Sequence, residues 1–155
     1  MWRRACRVVF QSEPGRVMES FSLHPQLSAD CHPVGDLALS RVLLLNDRRY
    51  PWVILVPRRA AVSEVYQLNA ADRQRLLDES CRTGEFMMRA FGGQKLNIAT
   101  LGNLVSQLHL HHVIRDAADP AWPGPVWGHS PAVPYPEGLL ADRIALLRGG
   151  LGLPQ

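Results

Sequence analysis

The strongest constraint on this chain is one long stretch of helical periodicity between two turn signals. Leu76, Leu77, Cys81, Gly84, Met87, Met88 and Phe91 recur at spacings that put them on one side of an α-helix. Asn69 offers an N-cap, Asp72 brings acid to the first turn, and Gly92-Gly93 supplies the stop. The pattern predicts a helix over about residues 70–91. Its Met and Phe stripe reads as packing against a sheet rather than as a ligand box, with Cys81 as a small core residue.

The remaining apolar runs are too short for comparable helices and read as strands. Leu37 to Leu45 is closed by the turn formers Asn46-Asp47, and Trp52 to Val56 is stopped by Pro57, which suits an antiparallel partner. Lys95 to Leu101, a tight turn at Gly102-Asn103 and Val105 to Ile114 are expected to make a β-hairpin. Phe21 to Pro33 is short and mixed, with one irregular helical turn near Ser28 to Cys31. Beyond Asp116 six prolines, from Pro120 to Pro136, crowd a segment that also holds Trp122, Trp127 and Tyr135. Regular sheet interior is excluded there. Trp122 and Trp127 are expected to anchor this segment over apolar surface. A final helix is expected from Pro136 to Arg148, with Leu139, Leu140, Ile144 and Leu147 on one face.

Length bounds the organisation. A chain of 155 residues accommodates one domain with a substantial core. Residues 18–128 are expected to form that domain and residues 129–155 a Pro-rich extension with a short helix. The formal charge of +3 is concentrated in residues 1–17, where Arg3, Arg4, Arg7 and Arg16 face only Glu13. That leader is expected to be disordered, or to lie upstream of a start at Met18. The body is neutral and lacks a basic stripe with interleaved aromatics, so nucleic-acid binding is not expected. No apolar run reaches about 18 residues, so no membrane span is expected. Three cysteines without a CxxC pair argue against a disulfide framework, and a cytoplasmic setting is expected.

Chemistry concentrates in one segment, Gln107-Leu108-His109-Leu110-His111-His112-Val113-Ile114. Side chains of a strand alternate between faces. Gln107, His109, His111 and Val113 therefore share one face, expected to be exposed, and Leu108, Leu110, His112 and Ile114 share the core face. His109 and His111 would stand about 6.5–7 Å apart, a spacing that suits adjacent oxygens of one phosphate group. One neutral imidazole can then act as nucleophile while its neighbour donates a hydrogen bond. The same cluster also reads as a metal clip, with His24, His32 or Cys31 as a further ligand, though nothing in the sequence brings those residues to the strand. Phosphate chemistry is the favoured reading, with no metal and no cofactor.

The string Val105-Ser106-Gln107-Leu108-His109-Leu110-His111-His112-Val113-Ile114-Arg115 resembles the signature of the histidine-triad (HIT) family, in which three histidines alternate with apolar residues. The resemblance sets Gln107 at the family's first histidine, His109 at its catalytic middle one and His111 at its last. Asn46, ahead of an apolar strand that ends in Pro57, is similar to the family's ribose-binding Asn or Asp, although turn chemistry alone explains an Asn there. The resemblance implies an α+β fold, with a bent antiparallel sheet of about five strands, one major packed helix, and a homodimer. It implies a nucleotide hydrolase or nucleotidyl transferase. His109 would form a nucleotidyl-histidine at the α-phosphate of a dinucleoside polyphosphate, a nucleoside phosphoramidate or a similar conjugate. His111 and Gln107 would hold phosphate oxygens, with Asn103 or Ser106 making compensating polar contacts. Gln107 departs from the pattern, since an amide cannot carry charge near neutral pH. A nucleotide-binding or interaction protein without turnover is the alternative.

Overall fold

The computed structural model describes residues 20–154. The leader expectation for residues 1–17 lies outside them. A short helix α1 (Pro25–Asp30) leads into strands β1 (Cys31–Asp36), β2 (Ser40–Leu45) and β3 (Trp52–Pro57). The long helix α2 (Ala70–Phe91), strands β4 (Lys95–Ala99) and β5 (Leu110–Arg115), and the helix α3 (Glu137–Leu151) follow. The strands form one antiparallel sheet in the order β1-β2-β3-β5-β4. This is the expected α+β class with the expected five strands.

Helix α2 covers the span that its pattern predicts. The Asn69 side chain accepts a hydrogen bond from the Asp72 amide, and Gly92 ends the helix at φ 66°, a left-handed conformation that glycine adopts without steric cost. The buried stripe differs in composition from the expected one. It runs through Asp72, Leu76, Glu79, Ser80, Thr83, Gly84 and Met87, whereas Leu77 and Cys81 face outward. Polar residues replace the two apolar ones because each of three finds a partner. Asp72 pairs with Arg59, Glu79 accepts from the amides of Leu39 and Ser40 at 2.7 and 3.0 Å, and Ser80 meets His112.

The sheet is covered on both faces, which explains why β3 reads as an unbroken apolar run. Val42, Leu44, Val53, Leu55, Leu110 and Ile114 meet α2 and α3 in one cluster. Leu43, Trp52, Ile54, Val56 and Val113 face a second cluster completed by Leu27, Tyr50, Val105 and Val126. Strand β1 was not expected from Cys31-His32-Pro33-Val34-Gly35-Asp36. Pro33 and Gly35 weaken any strand signal, yet an edge strand tolerates them, and its pairing with β2 shifts register between the two.

Strands β4 and β5 pair as expected, from Lys95 with Arg115 to Ala99 with His111. The tight turn at Gly102-Asn103 is not found. Residues 100–109 form a longer connection in which Leu108 donates its amide to the Val62 carbonyl rather than to β4, so pairing begins only at Leu110. The C-terminal segment is integrated into the core through Tyr135, Leu147, Leu151 and Leu153. Leu139, expected on the buried face of α3, is 41% exposed. The buried side of the helix continues instead to Leu151, because the helix runs three residues further than the pattern suggested.

Candidate functional site

Leu110, His112 and Ile114 lie on the core face of β5 and His111 and Val113 on the other, as the alternation required. His112 is fully buried, with Nε2 2.7 Å from the Ser80 hydroxyl. Burial pulls its pKa down to about 4, so it remains neutral near pH 7.

The opposite face is not open, as the sequence suggested. His109 and His111 are only 7% and 8% exposed, because the second cluster and two tryptophans close around them. The rings meet edge to face with centroids 4.9 Å apart, closer than ideal strand spacing, since His109 precedes the paired part of β5. Trp52 and Trp127 contact the His111 ring at 5.5 and 5.6 Å between centroids, each in an edge arrangement.

Hydrogen bonds fix the proton positions on both rings. The Gln107 carbonyl lies 2.6 Å from His109 Nδ1, and a carbonyl can only accept. Neutral His109 therefore carries its proton on Nδ1 and leaves the Nε2 lone pair free. The opposite holds for His111. The Trp52 indole N–H donates to His111 Nδ1 at 2.9 Å, so the proton of neutral His111 sits on Nε2 as a donor. Burial, helped by the neighbouring His109 and His112, pushes the His111 pKa down to about 3. His109, just ahead of β5, thus presents a lone pair and His111, within it, an N–H.

Both histidines line a cleft of about 800 Å³ whose walls include His24, Asp30, Cys31, Asp47, Trp52, Asn103 and Trp127. Asn103 is exposed on its rim, as an expected contact residue. Gln107 and Ser106 line a smaller neighbouring cavity of about 460 Å³, which His24 also borders. The Gln107 amide is held at both ends there, accepting from the His24 amide at 2.9 Å and donating to the Ser22 carbonyl at 2.8 Å. Asn46 lines neither cavity. Its side chain accepts from the Tyr135 amide at 3.0 Å, and the adjoining Asp47 accepts from Val133 at 3.3 Å. The pair that ends β2 therefore pins the Pro-rich segment. Asp47 also receives the Arg49 guanidinium, which holds its carboxyl below the usual range despite burial.

Trp52, from β3, is the cleft residue that sequence reasoning missed. His24 and Cys31, considered from sequence only as further metal ligands, and Trp127, considered mainly as an anchor, are also brought to the cleft, from the N-cap of α1, from β1 and from the Pro-rich segment. That segment is tied by Arg115, which is 2% exposed, pairs with Asp119 and donates to the Asn97 side chain and the Gly124 carbonyl. Trp127 serves as the expected anchor, whereas Trp122 is 40% exposed with the Arg115 guanidinium over its ring. Among the described residues, no group of three or more His, Cys, Asp or Glu side chains is arranged to hold a metal ion. No helix among them is long and apolar enough to cross a membrane.

An open antiparallel sheet with a long helix on one face and an imidazole pair in a cleft on the other defines an α+β protein built around a histidine site. The HIT domain model matches residues 26–118. The chain belongs to the HIT family, a nucleotide-binding and hydrolase family. A histidine triad protein from Marinobacter aquaeolei VT8 is similar at 52% identity and a TM-score of 0.85, covering 86% of this chain and 98% of that one. One from Sinorhizobium meliloti 1021 is 42% identical with a TM-score of 0.83, covering 86% and 98%. One from Bradyrhizobium japonicum is 39% identical with a TM-score of 0.84, covering 86% and 99%. No curated protein matches the chain.

Proposed function

We propose that this protein is a nucleotide hydrolase or nucleotidyl transferase that acts at an α-phosphate through a covalent nucleotidyl-histidine. The observation that carries this reading is the complementary pair of ring tautomers, with a free lone pair on His109 Nε2 beside an N–H on His111 Nε2. His109 Nε2 attacks the α-phosphorus, forming an N–P bond as the bond to the leaving group breaks and that group departs with the electron pair. The imidazole ring then bears positive charge, which the Nδ1–H bond to the Gln107 carbonyl stabilises. His111 Nε2–H donates to a non-bridging oxygen where negative charge builds. Water, or another acceptor, attacks phosphorus next. The N–P bond breaks, its electrons return to His109, and the attacking group's proton passes to solvent.

The substrate class is a dinucleoside polyphosphate, a nucleoside phosphoramidate or a similar nucleotide conjugate, held without metal or cofactor. Asn103 on the rim contributes a polar contact from the loop before β5. A homodimer is part of the proposal. It is supported by the outer edge of the sheet at β4, where Ile98 is 49% exposed and the following Leu101 43%. A reducing cytoplasm suits the free thiols of Cys31 and Cys81. Intact-mass analysis after an acid-free quench tests the chemistry, using diadenosine tetraphosphate and adenosine phosphoramidate with wild type and His109→Ala. A nucleotidyl adduct in wild type and none in the variant is expected. Absence of both turnover and adduct with either substrate refutes the enzyme reading and leaves nucleotide binding without turnover.

A further inference from the structure

We infer that His24 supplies a phosphate-binding imidazole to the cleft from outside the histidine strand, and that Gln107 is the positioning residue that holds it there. The inference rests on the proposed nucleotide site and deepens it. Position 107 carries an amide, and both ends of that amide are spent on the backbone of one neighbouring segment, at the His24 N–H and the Ser22 carbonyl. Both ends of the amide are thus anchored to one backbone segment, which sets where that segment lies. What it delivers is the residue it grips. His24 borders both the small cavity with Gln107 and the large cleft with His109 and His111.

The protonation of His24 follows from its own contact. Its Nδ1 accepts from the Gln26 amide at 3.1 Å, as the cap of α1, so the neutral ring carries its proton on Nε2. His24 is therefore preset as a hydrogen-bond donor. Acting as a proton-transferring acid would require Nδ1 to give up its role as cap. Its contribution is to bind and orient an anionic oxygen of the phosphate chain, alongside the donor on His111. Gln26 and Asp30 also line the cleft, but the Gln26 side chain donates to Asp30 at 2.8 Å and the carboxylate can only accept, so the His24 imidazole is the donor this helix start offers an anion.

Calorimetric titration of the full chain with AMP and with adenosine tests the inference independently of turnover. His24→Asn retains a side chain suited to capping α1 while removing the ring. The expected result is a loss of roughly 10- to 100-fold in AMP affinity, the worth of one hydrogen bond to a charged oxygen, with adenosine affinity unchanged. Gln107→Ala is expected to weaken AMP by a similar factor, and the double variant by little more than either single one, because both act through one imidazole. AMP binding within two-fold of wild type in His24→Asn overturns the inference, as does equal weakening of AMP and adenosine. If wild type binds AMP but shows neither adduct nor turnover, the catalytic reading fails while this test still decides the role of His24. If wild type binds neither ligand, both readings fail.

Discussion

Lowering the pH from 7 to 5 should destabilise this protein far more than its carboxylates can account for. His111 and His112 are buried neutral, with pKa values drawn down to about 3 and about 4 from an ordinary 6.5. The unfolded chain releases both imidazoles to water, where they protonate near their ordinary pKa. Below pH 6.5 the unfolded state thus binds protons that the folded state refuses, and stability falls with pH until the folded values are reached. Each group loses about 1.4 kcal/mol per pH unit across that window. Between pH 7 and 5 this amounts to about 2 kcal/mol per histidine, and about 4 kcal/mol for the pair, against a total stability of about 5–15 kcal/mol. The lowered pKa values of Asp36, Asp47, Asp72 and Asp119 act in a different range. Their stabilisation is full above the unfolded value of 3.8 and is lost only below it. Urea unfolding followed by circular dichroism at half-unit intervals from pH 7 to 5 measures the slope. His112→Asn, which keeps a polar group for Ser80 but does not titrate, should halve it. A loss under about 1 kcal/mol over this range, or a slope indifferent to the substitution, would refute the claim that two neutral imidazoles are locked inside.

Two further outcomes follow from the cleft. Trp52→Phe removes the indole N–H that faces His111 Nδ1 and leaves a buried acceptor unpaired, at a cost of about 1–3 kcal/mol. Nitrogen-15 NMR of the imidazole should then show His111 no longer confined to the Nε2–H tautomer, and an unchanged tautomer would defeat the assignment. Arg115→Ala strands the Asp119 carboxylate and the Gly124 carbonyl in a nearly dry pocket, so thermal unfolding should report a loss of about 3–5 kcal/mol. Arg115→Lys should recover little of it, because an ammonium cannot reproduce the paired contacts to Asp119.

Much of the site's layout was legible in the segment 107–114 itself. Alternation separated His112 from His109 and His111, and it did so correctly because Leu110 and Ile114 are apolar and the core is on their side. What could not be read was which strand would lie beside β5. Trp52 reaches His111 only because β3, with Ile54 opposite His111, pairs with β5 across a separation of more than fifty residues. The outward turn of Leu77 and Cys81 was hidden for a related reason. Glu79 and Ser80 look like solvent residues until the amides of Leu39 and Ser40 and the His112 ring are brought to them. Gln107 illustrates the converse. The amide at this position was plain in the sequence, but its partners, Ser22 and His24, belong to a segment with no regular periodicity to announce where it would run.

The seating of α3 also bears on how the molecule comes into being. Arg148 donates to the Val34 carbonyl at 2.8 Å, and Leu151 and Leu153 fill the core beside β1, whose own residues lie more than a hundred positions earlier in the chain. A ribosome releases the chain from its N-terminus first. Strands β1 to β3 and helix α2 therefore emerge into solvent with one side of their core still open, and they stay so until Leu153 has been made. A nascent chain halted within the Pro-rich segment would already hold both cleft histidines while lacking α3, which together with α2 closes the opposite face of its sheet. For that interval it exposes the apolar surface that holding chaperones recognise, and its histidine site becomes durable only when the last stretch of helix has docked.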